Sequence, residues 1–254
     1  MRIGGITEMS TVDWYGNVSL VLFFAGCNLR CPYCQNSPLI PLDSGHEVGL
    51  DYLKDYLETC MHPVPQLDSA VFTGGEPTLQ PDAVIAAAHL TKEYNLDLML
   101  DTNGTIFDAI KHVLETGLFK RVALDVKAPL NKRDYGFVTG RPELGDKFAE
   151  NVKRTLKLCK ELGLEVEART TVAPGVSDDP EFILELARDI KGLTTVYYLQ
   201  QFDNQGEVLD LELKKKERPS RDKLKELAKI AFGEGVNPVF IKTRFEGLER
   251  VKNG

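Results

Sequence analysis

Beyond residue 17 the chain alternates between short runs of β-branched and aromatic residues and longer stretches with helical apolar spacing. The runs 18–24 (VSLVLFF), 69–74 (SAVFTG), 96–102 (LDLMLDT), 121–127 (RVALDVK), 165–172 (EVEARTTV), 195–202 (TVYYLQQF) and 237–242 (NPVFIK) predict strands. Helices are predicted between them, over roughly 49–60, 81–94, 106–116, 145–162, 179–190 and 219–232. Pro81-Asp82 and Asp179-Pro180 are start signals, and Gly117, Gly163 and Gly192 follow helix ends. Such alternation implies βαβ units and a mostly parallel sheet. Six or so units are too few for a closed eight-fold barrel. The predicted fold is therefore α/β, an open, partial (β/α)6 TIM-like barrel. A single domain is expected over 1–254, with an N-terminal extension (1–17), a core (18–202) and a C-terminal extension (203–254). The charged run 212–223 reads as a solvated loop before the last helix.

Composition narrows the function. A formal charge of −7 argues against general nucleic-acid binding. The opening MRIGGITEMSTVDWYG is too polar for a signal peptide, and the longest apolar run, VSLVLFFAG, is far short of the roughly 20 residues a membrane helix needs. A cytoplasmic protein without a membrane partner is expected. Five cysteines, three of them clustered, do not resemble a secreted disulfide framework.

In parallel α/β sheets the chemistry gathers at the C-terminal ends of the strands. Cys27, Cys31 and Cys34 follow the first predicted strand, and Gly74-Gly75-Glu76-Pro77 the second. Asp101-Thr102-Asn103-Gly104 ends the third, and Asp125 and Lys127 the fourth. Arg169 lies late in the fifth, and Gln200 and Gln201 late in the sixth. Three readings compete for the C-x₃-C-x₂-C loop. Structural zinc usually takes four ligands, and Cys60, Cys159 and the scattered histidines 46, 62, 89 and 112 offer no ligand spacing. A disulfide relay leaves an odd thiol. An iron-sulfur cubane held by three thiolates leaves one iron open.

The segment CNLRCPYC, with Tyr33 as its aromatic, followed by TGGEP at the end of the next strand, resembles the signature of the radical S-adenosylmethionine (SAM) superfamily. The order of cysteine loop, GGE, D-T-N-G, D-x-K and R-x-x-x-x-P-G is most similar to the activating enzymes of glycyl-radical enzymes. Residues 3–36 are especially similar to activators of anaerobic ribonucleotide reductase. The resemblance implies a 4Fe-4S cluster on Cys27, Cys31 and Cys34, with SAM chelating its open iron. It implies SAM contacts from Tyr33, Gly74, Gly75, Glu76, Asp101, Asn103, Lys127, Arg169 and Gln200. Lys127 is placed near the SAM carboxylate or the substrate peptide. A monovalent cation on Asp101, Thr102 and Asp125 is also implied.

Each residue has a plainer alternative. Gly74-Gly75 makes a tight turn, and Asp101, Thr102 or Asn103 caps a helix. Lys127 pairs with a surface carboxylate, Arg169 pairs with Glu167, and Tyr33 packs the loop. Gln200 or Gln201 stands in the neighbourhood where the pyruvate formate-lyase activating enzymes, which the chain also resembles, carry a histidine that contacts SAM, and adjacent strand residues point opposite ways. Cys60 and Cys159 read as buried structural thiols. The implied activity is reductive cleavage of SAM and hydrogen abstraction from a glycine of a partner glycyl-radical enzyme. A ferredoxin or flavodoxin is the expected electron donor. The rival readings are a radical SAM enzyme acting on a small molecule or modified nucleoside, and a non-catalytic electron-transfer or zinc-binding module.

Overall fold

The computed structural model describes residues 1–252. They gather into two compact units. One comprises Met1–Asn28, Pro38–Thr102 and Asp108–Ala123, the other Leu29–Ser37, Asn103–Phe107 and everything described from Leu124 onward.

The first unit carries β1 (Arg2–Ser10), β2 (Ser19–Phe24), β3 (His46–Glu47), α1 (Leu50–Met61), β4 (Ser69–Gly74), α2 (Pro81–Lys92) and β5 (Asp97–Thr102). All but the first residue of α3 (Phe107–Leu114) and the opening of β6 (Arg121–Asp125) belong to it too. Its strand order is β3-β1-β2-β4-β5. β2, β4 and β5 run parallel, with Phe24 opposite Gly74 and Ala70 opposite Leu98, while β1 runs antiparallel to β2 and to β3. β2 and β4 are buried along most of their length, as strands covered on both faces are. Trp14, Val21, Val71, Met99 and Ala123 form one buried cluster, with the Arg121 guanidinium over the Trp14 ring at 5.4 Å.

The second unit carries the end of β6, then α4 (Lys132–Val138), α5 (Gly145–Glu161), β7 (Glu165–Val172), α6 (Pro180–Ile190) and β8 (Val196–Gln201). It closes with α7 (Leu211–Lys214), α8 (Arg221–Glu234), β9 (Val239–Thr243) and β10 (Gly247–Arg250). β7, β8 and β9 are parallel neighbours, and β10 returns antiparallel to β9. α5 buries Phe148, Val152, Leu156 and Cys159, a three-to-four spacing that makes one apolar face. α6 starts as its sequence predicts, with Pro180 in the first turn and the Asp179 carboxylate accepting from the Glu181 and Phe182 N–H groups.

All seven predicted strands are present, their ends shifted by two residues or fewer, and the six predicted helices likewise. The strand predicted over 237–242 is β9, which lies parallel beside β8. Three differences matter. β1 occupies the N-terminal extension, where no element was expected. α4 was not predicted, being only 7 residues long. Residues 212–214 of the expected loop belong to α7, whose first turn is capped by Asp210. Among the described residues no helix is long and apolar enough to cross a membrane.

Candidate active site

In the first unit, the ends of β2 and β4 come within contact distance because glycine occupies the junction. A Cβ on Gly75 would stand 2.1 Å from the Gly26 carbonyl oxygen, and one on Gly74 would stand 2.2 Å from the Phe24 oxygen. Gly74 also holds φ at 125°, which L side chains rarely adopt. The Gly75 N–H donates to Phe24 O (2.8 Å) and the Glu76 N–H to Gly26 O (2.7 Å). The GGE turn is thereby fastened to the residue before Cys27. Cys27 is itself held by its N–H donating to Ile40 O at 3.0 Å. The Glu76 side chain is wholly buried and points inward. Its Oε1 accepts from the Thr78 N–H (3.1 Å), the Thr78 hydroxyl (2.5 Å) and the Thr102 hydroxyl (2.8 Å). Glu76 thus ties the end of β5 to the turn after β4, and Thr102 is buried beside it. Asp101 stands next in β5.

The second unit holds the rest of the cysteine loop. The Arg30 N–H donates to Thr139 O (2.8 Å), and Gly140 lies so close that a Cβ there would meet the Arg30 oxygen at 2.4 Å. From the other side, the Leu209 N–H donates to Cys34 O (3.1 Å) and the Asp210 N–H to Pro32 O (2.9 Å). Cys31 is buried and Cys34 half-buried, and the Cys34 N–H closes a turn onto Cys31 O at 3.0 Å. Burial pushes the Cys34 thiol up, while the Asn36 N–H, Lys127 and Arg30 pull partly back.

Lys127 reaches this loop. Its Nζ lies 5.9 Å from the centre of the Tyr33 ring and 2.9 Å from Asp125 Oδ2. Burial opposes its charge, but the Asp125 carboxylate, Cys31 and Tyr33 outweigh that cost and hold the ammonium well above the ordinary value. Tyr33 is buried, its hydroxyl has no hydrogen-bond partner among the described residues, and burial raises its pKa strongly. Lys127 is largely buried and Asp125 is 42% exposed, and the pair lies beside the aromatic of the cysteine loop.

Asn103 caps its own turn, its Oδ1 accepting from the Thr105 N–H (3.0 Å) and hydroxyl (2.6 Å). α5 braces that turn through Asn151 Nδ2 to Thr105 O and the Thr155 hydroxyl to Gly104 O. Arg169 Nε donates to Glu167 Oε1 at 2.6 Å, and both side chains are buried or nearly so. At the end of β8, Gln201 spends its side chain on backbone, donating to Pro219 O and accepting from the Arg244 N–H. Gln200 lies on the opposite face, and its amide has no hydrogen-bond partner among the described residues. Asp101 and Thr102 belong to the first unit and Asp125 to the second. Sequence reasoning missed Thr78, Thr105, Gly140, Leu209 and Asp210. Only the hydroxyls of Thr78 and Thr105, near GGE and DTNG, left a legible signal.

The donor set fits a cubane. Three reduced thiols, Cys27, Cys31 and Cys34, share one loop. A cubane takes each thiolate on a different iron and does not need the sulfurs to converge on one ion. Cys60 and Cys159 are buried elsewhere, and burial pushes the Cys159 thiol up to about 12, as expected of inert structural thiols.

The chain matches the family model described as the Radical SAM superfamily over residues 21–187. It is 36% identical over 231 residues to a Methanocaldococcus jannaschii protein whose name assigns it to the glycyl-radical enzyme activating enzymes, covering 90% of this chain and 91% of that protein. It is 31% identical over 236 residues to the pyruvate formate-lyase-activating enzyme of Clostridium pasteurianum, covering 88% and 93%. A solved radical SAM methyltransferase from Sphaerobacter thermophilus superposes with a TM-score of 0.72 at 17% identity, over 91% of this chain and 68% of that one. At that identity the likeness bears on fold alone, and it bears out the predicted α/β class with a mostly parallel, open sheet.

Proposed function

The chain belongs to the radical SAM superfamily, whose enzymes work with a 4Fe-4S cluster and SAM, and from that premise we propose that it is the activase of a glycyl-radical enzyme. The observation that carries the reading is similarity over nine-tenths of the chain to a protein named for that activity. The preferred partner is anaerobic ribonucleoside-triphosphate reductase, supported by the resemblance of residues 3–36. When bound, the cluster supplies the electron that cleaves SAM to methionine and a 5′-deoxyadenosyl radical. The reaction proposed for the partner would replace a glycine Cα–H by a glycyl radical, the hydrogen atom passing to 5′-deoxyadenosine. A ferredoxin or flavodoxin would renew the electron, in the cytoplasm.

The chain's own part is to hold and orient. Cys27, Cys31 and Cys34 would hold the cluster. An ammonium group needs acceptors, and the N–H groups of Gly75 and Glu76 are already engaged inward. The GGE turn therefore offers SAM its carbonyl oxygens, while the buried Glu76 carboxylate keeps the turn in shape. Lys127 carries a fixed positive charge beside Tyr33 and would meet the SAM carboxylate. Tyr33 would pack the adenine side of the loop. Asp101, Asn103, Arg169 and Gln200 are offered as further SAM contacts. The test is electron paramagnetic resonance (EPR) after anaerobic incubation of the reconstituted, reduced chain with SAM and a glycyl-radical enzyme. A glycine-centred doublet is expected. SAM cleavage without the doublet would point to a small-molecule substrate.

A further inference from the structure

After β8 the chain passes along the cysteine loop before reaching α7. Gln35 Nε2 donates to Asp203 O at 2.7 Å. Asn36 and Glu207 form a parallel backbone bridge, and the Ser37 hydroxyl donates to Glu207 O at 3.0 Å. The Leu209 and Asp210 N–H groups then reach the carbonyls of Cys34 and Pro32. Residues 32–37 thus have a hydrogen-bonded neighbour along almost their whole length. That neighbour is itself thinly supported: residues 205–207 are exposed, and Val208 is its one buried apolar side chain.

What fixes it is Asp203. Its Oδ1 accepts from the Gln205 N–H (3.1 Å), turning the chain toward the loop. Its Oδ2 pairs with the Arg244 guanidinium, and Arg218 stands 3.9 Å from Oδ1. The Asp203 side chain is 22% exposed and that of Arg244 43%, so solvent screens the pair in part. Gln201 holds the two arginine-bearing segments in place through Pro219 O and the Arg244 N–H.

We propose that residues 203–210 are a strap that sets the shape of the cysteine loop around Cys34, and that Asp203 is the positioning residue anchoring it. The purpose assigned to the loop rests on the radical SAM reading; the anchoring does not. The test therefore begins with the metal-free chain. A glutamate-specific protease should cut after the exposed Glu207, at a rate that reports release of the strap. Asp203→Asn keeps the turn acceptor and removes the charge. It is expected to be cut at Glu207 about tenfold faster, with cutting elsewhere and the melting midpoint unchanged. After anaerobic reconstitution the same variant should show a shifted EPR spectrum of the reduced cluster and several-fold faster bleaching in air.

A wild-type cutting rate overturns the anchor. Faster cutting with an unaltered spectrum and bleaching rate overturns the positioning role. If Asp203→Asn does not fold, Gln35→Leu, which removes the donor on the loop side, carries the same expectations. A wild-type chain that assembles no cluster would sink the radical SAM reading, while the protease arm still decides the anchor.

Discussion

Gly75 leaves no room for a methyl group, because the Gly26 carbonyl oxygen would lie 2.1 Å from it. Gly75→Ala should cost about 2 kcal/mol in thermal or denaturant unfolding and weaken SAM binding to the reconstituted chain at least tenfold. Lys127 makes the opposite kind of prediction, with little change in fold and much in function. Lys127→Gln should lower SAM cleavage roughly 100-fold while leaving the chain folded. Its folded pKa is raised above the ordinary 10.5, so the stability its charge contributes is fully present below that value and is lost only as pH climbs through the raised one. Lys127 should therefore impose no step on the rate between about pH 6 and 9. The cysteines and Lys127 were legible in the sequence because the roles proposed for them belong to their side chains. Leu209 and Asp210 were not, since each meets the cysteine loop through a backbone N–H that almost any residue could supply, and Gly140 was not, since nothing in the sequence separates a glycine needed for close approach from one in an ordinary turn.

At the scale of elements, β7 presents Glu167 and Arg169 on one face, two residues apart, as an ion pair largely out of solvent. Arg169→Met removes one charged partner of the buried glutamate and should destabilise by about 3 kcal/mol. Adding Glu167→Gln should recover most of that stability without restoring SAM cleavage, if the arginine also serves the site. Full activity in the double variant would reduce Arg169 to a structural role. β10 is tied to α8 by Glu249, which lies 2.6 Å from both Arg221 and Lys225. The Lys225 and Arg221 hydrogen bonds hold its carboxyl below the usual 4.5. Their stabilisation is present above that value and fades as pH falls through the lowered one. Glu249→Gln should thus cost about 0.5 kcal/mol at neutral pH, a difference that vanishes under strong acid in a melting series. The parallel strands were legible because continuous burial leaves a dense apolar run. β1 was not, because RIGGITEMS is half exposed, interrupted by glycine and irregular in register. α4, at 7 residues, is too short for helical periodicity to show.

For the whole molecule, the alternation of strand and helix gave the α/β class, and the cysteine loop with GGE gave the superfamily. Neither encodes the partner. The SAM machinery is indifferent to which glycine is attacked, and partner choice depends on surfaces that no motif marks. Similarity to glycyl-radical enzyme activating enzymes makes a protein substrate the reading to test. The most direct measurement follows the hydrogen atom. A glycyl-radical enzyme carrying Cα-deuterated glycine is incubated anaerobically with the reduced, cluster-loaded chain and SAM, and the 5′-deoxyadenosine is weighed by mass spectrometry. The proposed chemistry predicts one deuterium in that product, in step with the glycine-centred EPR doublet. Unlabelled 5′-deoxyadenosine with the partner's glycine intact, or SAM left whole by a chain that binds four irons, would contradict it.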